Sequence, residues 1–366
     1  MEGSPKKNST KLKALVLCAG KGTRLLPLTE TIAKPLVPVA NRPILFYVLD
    51  QIKQSGIKEI GIVVSPENHD QIKKAVGSGA EWGVDIHYIV QTQAGGLAHA
   101  VITAEKFLGN SPFLMFLGDN LIQGNIKGYL NRFCSEACGA FILLKEVADP
   151  RLFGVAELDS NGKVTRLIEK PKEPRSNLAM VGVYFFTPSI HRATKQIKPS
   201  RRGELEITDA IQWLIDQGEV IHSEIVCGWW LDTGKKDDLL TANRIILDEV
   251  TNRLIRGNVD TVSTVTGRAD IGEETQIINS VIKGPVSIAE KCVIKNSAIH
   301  PFTSIGPGSV IENSSLEQTI IVGNSHISDV AQIKDSIIGT HVEIIGKTKN
   351  QEAVTILLGS YSSIEI

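Results

Sequence analysis

The chain has 366 residues, of which 39 are Lys or Arg and 40 are Asp or Glu, giving a formal net charge of -1. That balance excludes a general nucleic-acid binder, which needs a basic excess, but leaves room for a local basic pocket that holds phosphates. With 22% charged and 42% hydrophobic residues the composition is that of an ordinary soluble globular protein, and the length favours two domains.

The first twelve residues, MEGSPKKNSTKL, are polar and are read as a loose tail over 1–12 without the apolar region of a signal peptide. From there to about residue 250 short apolar runs alternate with helical patterns. Strands are expected over Lys13–Ala19, Ile60–Val64, Ile86–Gln91 and Pro112–Leu117, and helices over Pro43–Ser55, Asn68–Val76 and Leu97–Leu108. Continuous apolar strands separated by helices predict a parallel sheet covered on both faces, with ligands held at the carboxyl ends of its strands. Five cysteines (Cys18, Cys134, Cys138, Cys227 and Cys292) are scattered, with no CxxC pair. Neither a zinc ribbon nor a disulfide framework is supported, so a reducing, cytoplasmic setting is expected. Cys134 and Cys138, four apart, are expected to share one helix face. No apolar run approaches the roughly 18 residues that cross a bilayer.

Near residue 251 the pattern changes. Aliphatic residues recur every six positions: Val259, Val265, Ile271 and Ile277, then Ile299, Ile305 and Ile311, then Ile321, Ile327 and Ile333. Small or turn-forming residues fall between them, as in Gly306-Pro307-Gly308-Ser309. This period predicts a parallel β-helix over 251–366, each unit forming one face with its aliphatic side chain inward, in roughly five or six coils. The apolar stretch Ala353–Leu358 is expected to cap the last coil.

The loop after the first strand reads Ala19-Gly20-Lys21-Gly22-Thr23-Arg24-Leu25, followed by Lys34-Pro35-Leu36-Val37-Pro38. Glycine lets a backbone approach a ligand closely, its N–H groups can cradle phosphate oxygens, and Arg24 and Lys34 add cationic donors. Leu25 replaces the third Gly of a dinucleotide fingerprint, and no GK[ST] follows at P-loop spacing. As a whole, however, AGKGTRLLPLT with KPLVPVANRP resembles the signature of the sugar-1-phosphate nucleotidyltransferases. The resemblance continues through Gln91 with Gly95-Gly96-Leu97-Ala98-His99-Ala100, Leu117-Gly118-Asp119-Asn120, Phe153-Gly154-Val155, Glu169-Lys170-Pro171, Val181-Gly182-Val183-Tyr184, Arg202-Gly203-Glu204-Leu205-Glu206 and Trp230-Leu231-Asp232-Thr233-Gly234. It covers roughly residues 13–250 and, within the family, is strongest to the long-form glucose-1-phosphate thymidylyltransferases.

That resemblance implies a Rossmann-like catalytic domain over 13–250, followed by a left-handed β-helix. It also implies a Mg²⁺-assisted reaction in which a sugar 1-phosphate attacks the α-phosphate of a nucleoside triphosphate and pyrophosphate leaves. Both substrates are anionic, so alignment and charge neutralisation are the main tasks. The implied roles are as follows. Asp119 and Asp232 ligate the metal; each, taken alone, suits a capping or turn Asp. Arg24 holds the β/γ-phosphates, Lys34 reaches the α-phosphate region, and Ala19, Gly20, Gly22 and Thr23 bind the nucleotide. Gln91 and Gly96 contact the base. Lys170 binds the sugar phosphate with help from Arg202, while Glu169 and Glu204 accept hydrogen bonds from sugar hydroxyls and Gly154 and Gly182 keep the sugar pocket open. A Gln amide can donate and accept together, which suits the imide edge of thymine or uracil.

Two positions depart from the pattern. Thr92-Gln93-Ala94 precede the Gly-Gly-Leu-Ala segment where members often carry a bulkier residue, and Cys18 stands where many have Ala. The expected reaction joins dTTP and glucose 1-phosphate. A UTP-using enzyme for glucose or N-acetylglucosamine 1-phosphate is the alternative, and a non-catalytic paralogue is disfavoured because Arg24, Lys34, Asp119 and Asp232 are all present. His300, His326 and His341 lie in the repeat region, where some β-helices acetylate amino sugars, but here they read as surface residues. The flat sides of a β-helix favour a homo-oligomer.

Overall fold

A computed structural model describes residues 11–347 and 352–366. Residues 1–10, most of the expected tail, lie outside the described residues. The chain forms two compact units. One takes the chain up to Gly20 together with Tyr47–Trp230; the other takes Lys21–Phe46 with Leu231–Ile366. No helix among the described residues is long and apolar enough to cross a membrane.

The first unit is built on a sheet of nine strands among the described residues. In chain order they are β1 (Lys13–Leu17), β2 (Glu59–Val64), β3 (Asp85–Val90), β4 (Phe113–Leu117), β5 (Ala140–Glu146), β6 (Gly154–Leu158), β7 (Val164–Glu169), β8 (Leu178–Phe186) and β9 (Ile221–Ile225). The spatial path is β7-β6-β8-β4-β1-β2-β3, with β5 pairing β8 and β9. Strands β1 to β4 are mutually parallel, as their apolar runs predict. The later strands enter largely antiparallel: β8 against β4, β5 and β6, and β7 against β6. The physical reason is the connections, since β6 and β7 are joined by a short turn at Asn161-Gly162, which a parallel pair cannot use. The sheet is therefore mixed as a whole: parallel through β1 to β4 and again where β9 pairs β5, antiparallel elsewhere. A continuous core of Leu15, Phe113, Met115, Ile142, Tyr184, Phe186 and Ile211 covers it.

Register fixes the functional edge. Leu17 pairs with both Val63 and Leu117, and Val64 pairs with Val90. The chain thus leaves β1, β3 and β4 at one level, carrying Cys18-Ala19-Gly20, Gln91 and Gly118-Asp119 to the same rim.

Two local expectations change. The helix expected over Leu97–Leu108 is two helices, Leu97–Thr103 and Glu105–Leu108. The Thr103 hydroxyl bonds back to the His99 carbonyl at 2.8 Å, an interaction that bends helices. Cys134 sits in the helix Lys127–Ser135, but Cys138 lies beyond its end, so the two do not share a helix face. All five cysteines are free.

The second unit contains a parallel β-helix of three sheets, with seven, seven and five strands among the described residues. Ile271, Ile288, Ile305, Ile321 and Ile338 stack on one face, Ile277, Ile294, Ile311, Ile327 and Ile344 on the next, and Ile282, Ile299, Leu316 and Ile333 on the third. All of these are buried. The sequence runs of six break where one corner is a residue shorter, as from Ile277 to Ile282 and from Ile294 to Ile299. Two faces therefore reach seven strands, more than the five or six coils expected. Corners of left-handed φ are held by an amide ladder: Asn279 donates to Asn296 at 2.9 Å, Asn296 to Asn313 at 3.0 Å, and Asn313 to Asp329 at 2.8 Å. Asn tolerates this conformation better than most residues. Leu357–Leu358 pairs within the first face and another strand, Ser363–Glu365, follows it, so Ala353–Leu358 is part of the stack rather than its cap.

Within this unit, the segment containing Lys34-Pro35-Leu36-Val37-Pro38 is anchored by two asparagines. Asn41 Nδ2 donates to the Ser287 and Ile305 carbonyls, both at 3.0 Å. Asn243, fully buried on the helix Lys236–Val250, accepts from the Ala40 N–H at 2.8 Å and the Ser304 hydroxyl at 3.0 Å, and donates to the Phe302 carbonyl at 2.8 Å.

Candidate active site

At the rim of the first unit lies a cavity of about 230 Å³ with Ala19, Gly20, Gln91, Gly96, Asp119 and Glu204 on its wall. Leu17, Leu97 and Leu117 supply apolar surface. This is the mouth expected of a parallel sheet, with a few polar groups set in an apolar lining.

The base-side residues come from the segment after β3. Gly96 has φ +92°, and a Cβ there would lie 2.6 Å from the Leu205 carbonyl oxygen. Glycine is required on both counts. Its close approach belongs to a backbone clasp in which Leu205 N–H donates to Gly95 O at 2.7 Å and Ala98 N–H to Leu205 O at 3.1 Å. That clasp brings Glu204 to the cavity. Gln91 is 6% exposed, and its amide nitrogen meets His99 Nδ1 at 2.8 Å and the Gly96 carbonyl at 3.4 Å.

Asp119 follows Gly118 at the end of β4. Asn120 Nδ2 donates to Asp119 Oδ1 at 3.0 Å, and Trp230 Nε1 donates to Asn120 Oδ1 at 2.7 Å. Trp230 in turn packs edge-on against Phe153, with ring centroids 5.1 Å apart. Behind Asp119, burial pushes the Cys18 thiol well above the ordinary thiol range, and the Asp119 charge adds to this. Cys18 is therefore a neutral, inert wall rather than a nucleophile. Among the described residues no group of three or more His, Cys, Asp or Glu forms a metal cage. Mg²⁺ is commonly held by one or two carboxylates together with substrate phosphates and water. A single oriented carboxylate on a cavity wall fits that donor set.

A second polar group gathers around Arg202. Its guanidinium contacts Glu204 at 2.9 Å, Glu169 at 3.2 Å and Glu206 at 3.6 Å. Burial raises the Glu169 pKa, with the Glu206 charge as the second cause, against lowering by Lys170 and Arg202. Lys170 Nζ is 3.7 Å from Glu169, and its backbone takes a left-handed φ of 42° while its N–H donates to Phe153 O at 3.0 Å. Such a conformation is uncommon for a residue with a long side chain.

The two glycines assigned to this region each make room for a neighbour. A Cβ at Gly154 would lie 2.6 Å from Thr208 and 3.2 Å from Glu169, and one at Gly182 would lie 2.6 Å from Asn120 Oδ1. Their lack of a side chain seats Glu169 and Asn120.

The remaining site residues belong to the second unit. Gly22 has φ +65°, and a Cβ there would come within 3.1 Å of the Lys34 side chain. Thr29 Oγ1 closes this turn on the Gly22 carbonyl at 2.9 Å. Lys34 is 9% exposed, whereas Thr23 and Arg24 are exposed. Arg24 and Asp232 flank Gly234: a Cβ there would lie 3.4 Å from Arg24 Nη1 and 3.3 Å from Asp232 Oδ2. Asp238, whose pKa burial raises while Lys235 and Arg24 lower it, adds a further carboxylate beside Arg24.

Sequence reasoning passed over His99, Asn120, Glu206, Trp230 and Asp238. His99, Asn120, Glu206 and Trp230 lie inside the quoted motifs; His99 meets Gln91 eight positions away and Glu206 meets Arg202 four away, contacts that residue type alone does not reveal. The ordering of Asn120 by Trp230 spans 110 positions.

Comparison with known proteins agrees with the geometry. Residues 13–249 match the Nucleotidyl transferase family. A glucose-1-phosphate thymidylyltransferase of Streptomyces antibioticus is 47% identical over 97% of this chain and 99% of its own length. One from Streptomyces griseus is 44% identical with the same coverage. Among solved structures, a Bacillus anthracis protein described as a glucose-1-phosphate thymidylyltransferase, in complex with sucrose, has a TM-score of 0.61 at 38% identity, covering 64% of this chain and 94% of that one. With a family match across most of the chain, near-full-length relatives, and a ligand cavity at the carboxyl ends of parallel strands, this chain belongs to the nucleotidyl transferase family, among the sugar-1-phosphate nucleotidyltransferases.

Proposed function

We propose that the chain is a glucose-1-phosphate thymidylyltransferase. A phosphate oxygen of glucose 1-phosphate attacks the α-phosphorus of dTTP, the bond to the β-phosphate oxygen breaks, and dTDP-glucose and pyrophosphate result. The observation that carries this reading is the set of Gln91, Gly96, Asp119 and Glu204 on one cavity wall, in a chain 47% identical to a curated glucose-1-phosphate thymidylyltransferase.

In this reading residues 13–250 do the chemistry and 251–366 form the β-helix. Gln91 and Gly96 hold the base, with Ala19 and Gly20 beneath the nucleotide. Gly22, Thr23, Arg24 and Lys34 serve the triphosphate, Arg24 neutralising the departing pyrophosphate and Lys34 the α-phosphate. Lys170 and Arg202 hold the sugar phosphate, and Glu169 and Glu204 take the sugar hydroxyls. The attacking phosphate is already ionised, so no general base is required; alignment and charge neutralisation supply the rate. Asp119 and Asp232 would hold Mg²⁺, which when bound neutralises phosphate charge. Free cysteines suit a reducing cytoplasm, and the flat β-helix faces suit a homo-oligomer.

The test is pyrophosphate release across dTTP, UTP, dCTP and GTP with several sugar 1-phosphates, with and without EDTA. Turnover is expected to be best with dTTP and glucose 1-phosphate and to be abolished by EDTA. No turnover with any pair sinks the enzymatic reading; preference for UTP with N-acetylglucosamine 1-phosphate overturns the substrates; insensitivity to EDTA removes the metal.

A further inference from the structure

Gln91 does not meet the cavity as a freely turning amide. Its Nε2 lies 3.4 Å from the Gly96 carbonyl. A carbonyl only accepts hydrogen bonds, so the NH₂ group faces that side and the amide oxygen faces away. The same NH₂ meets His99 Nδ1 at 2.8 Å, so Nδ1 is the acceptor and the ring proton resides on Nε2. Among the described residues nothing donates to Gln91 Oε1. The imidazole is itself seated: a Cβ on Gly95 would lie 2.6 Å from His99 Cγ and 2.9 Å from Nδ1, so the glycine at position 95 is what admits the ring.

We propose that His99 is a specificity-determining positioning residue, whose Nδ1 locks the Gln91 amide so that its oxygen, not its nitrogen, is offered to the nucleobase. An oxygen acceptor matches a base whose ring N3 carries a proton, as in thymine or uracil. It opposes cytosine, whose N3 is an acceptor, because two acceptors then face each other without a proton between them. The inference rests on the reading of Gln91 as the base contact. It assigns to His99 the choice between the two amide orientations, and so the exclusion of aminopyrimidine nucleotides.

The experiment is steady-state kinetics of the full chain with dTTP and dCTP at saturating glucose 1-phosphate, for the parent, His99→Leu, His99→Asn and Gln91→Leu. His99→Leu is expected to raise the dTTP KM by about tenfold and to lower the dTTP-to-dCTP ratio of kcat/KM by at least about tenfold, the size of one lost positional hydrogen bond. The kcat with dTTP and the KM for glucose 1-phosphate are expected to stay within about twofold. His99→Asn, which places an acceptor near the position of Nδ1, is expected to recover most of the loss. If Gln91→Leu raises the dTTP KM while His99→Leu changes neither KM nor the ratio, the His99 assignment is wrong and the base reading stands. If Gln91→Leu is also silent, the base reading itself fails. A His99→Leu protein that loses kcat, both KM values and thermal stability together, without recovery in His99→Asn, assigns His99 a purely structural part and overturns the proposal.

Discussion

The side-chain amide of Asn120 donates to Asp119 Oδ1 at 3.0 Å while its oxygen accepts the Trp230 indole N–H at 2.7 Å. Asn120 is 1% exposed, so the pair is fixed inside the fold and the Asp119 carboxylate is presented in one orientation. If Asp119 holds Mg²⁺ as proposed, a group that orients its carboxylate matters by about 10–100-fold. Trp230→Phe keeps an aromatic ring beside Phe153 but removes the indole donor. Activity is expected to fall by about tenfold, with half-saturation at higher Mg²⁺ and little change in melting temperature. A Mg²⁺ titration of initial rates checks this, and an unchanged half-saturation point would contradict it.

Gly182 depends on the same asparagine. An added Cβ would lie 2.6 Å from Asn120 Oδ1 and 2.7 Å from Leu117 Cδ1, and no staggered adjustment of a buried strand residue relieves both. Gly182→Ala is expected to cost about 1–3 kcal/mol of stability by overpacking and to reproduce the shifted Mg²⁺ dependence of Trp230→Phe. Denaturant unfolding and rate titration on one preparation measure both. A variant with lost stability but unaltered Mg²⁺ dependence would separate packing from carboxylate orientation.

In the second unit, Asn243 joins the Ala40 backbone, the Ser304 hydroxyl and the Phe302 carbonyl. Asn243→Leu keeps the branched outline of the side chain and abandons all three partners. A buried polar group left unpaired costs about 1–3 kcal/mol, and of the three contacts the one with Ser304 is buried while the other two are part-buried, so a loss of about 1–3 kcal/mol is expected. Chemical denaturation reads it, and a loss below about 1 kcal/mol would show that water replaces the amide without difficulty.

His191 gives an acid-sensitive contribution. Its ring is buried and stacks on Phe113 with centroids 6.0 Å apart. Burial, the largest cause, holds its pKa below the ordinary value of 6.5, with the nearby Glu105 and Lys195 acting in opposite directions. The neutral ring is thus favoured in the folded state. Its stabilising contribution is complete above about pH 6.5 and is lost as pH falls through the lowered folded value. Thermal melts between pH 7.5 and 5 are expected to fall less steeply for His191→Phe than for the parent. Parallel curves would show that the loss at low pH arises elsewhere.

Much of the fold was legible as pattern. Strands β1, β2 and β4 were marked by uninterrupted apolar runs, because a strand buried on both faces cannot alternate, whereas the edge strand β3 carries His87 within its run and is half exposed. The β-helix was marked by aliphatic spacing, because each face admits one inward side chain. The antiparallel half of the sheet was less legible, since strands such as Val164–Glu169 are half exposed and their partners are set by turn length. The five-residue corners of the β-helix were hidden for a related reason: Ile277 to Ile282 still places an isoleucine inward once the corner tightens.

The sequence alone determined which chemistries were available: glycines where backbone must approach a ligand, carboxylates and cations at strand ends, and no nucleophile with a base. These are properties of residue type and local spacing. Only the tertiary structure decided how those groups are oriented. Gln91 carries an amide that can face either way until His99 and Gly96 fix it, and Asp119 carries a carboxylate whose direction is set through Asn120 by a tryptophan 110 positions away. Hydrogen bonds are directional and short, so the partner that selects an orientation must be brought within about 3 Å, and that closeness is created by the folding of distant segments onto one rim.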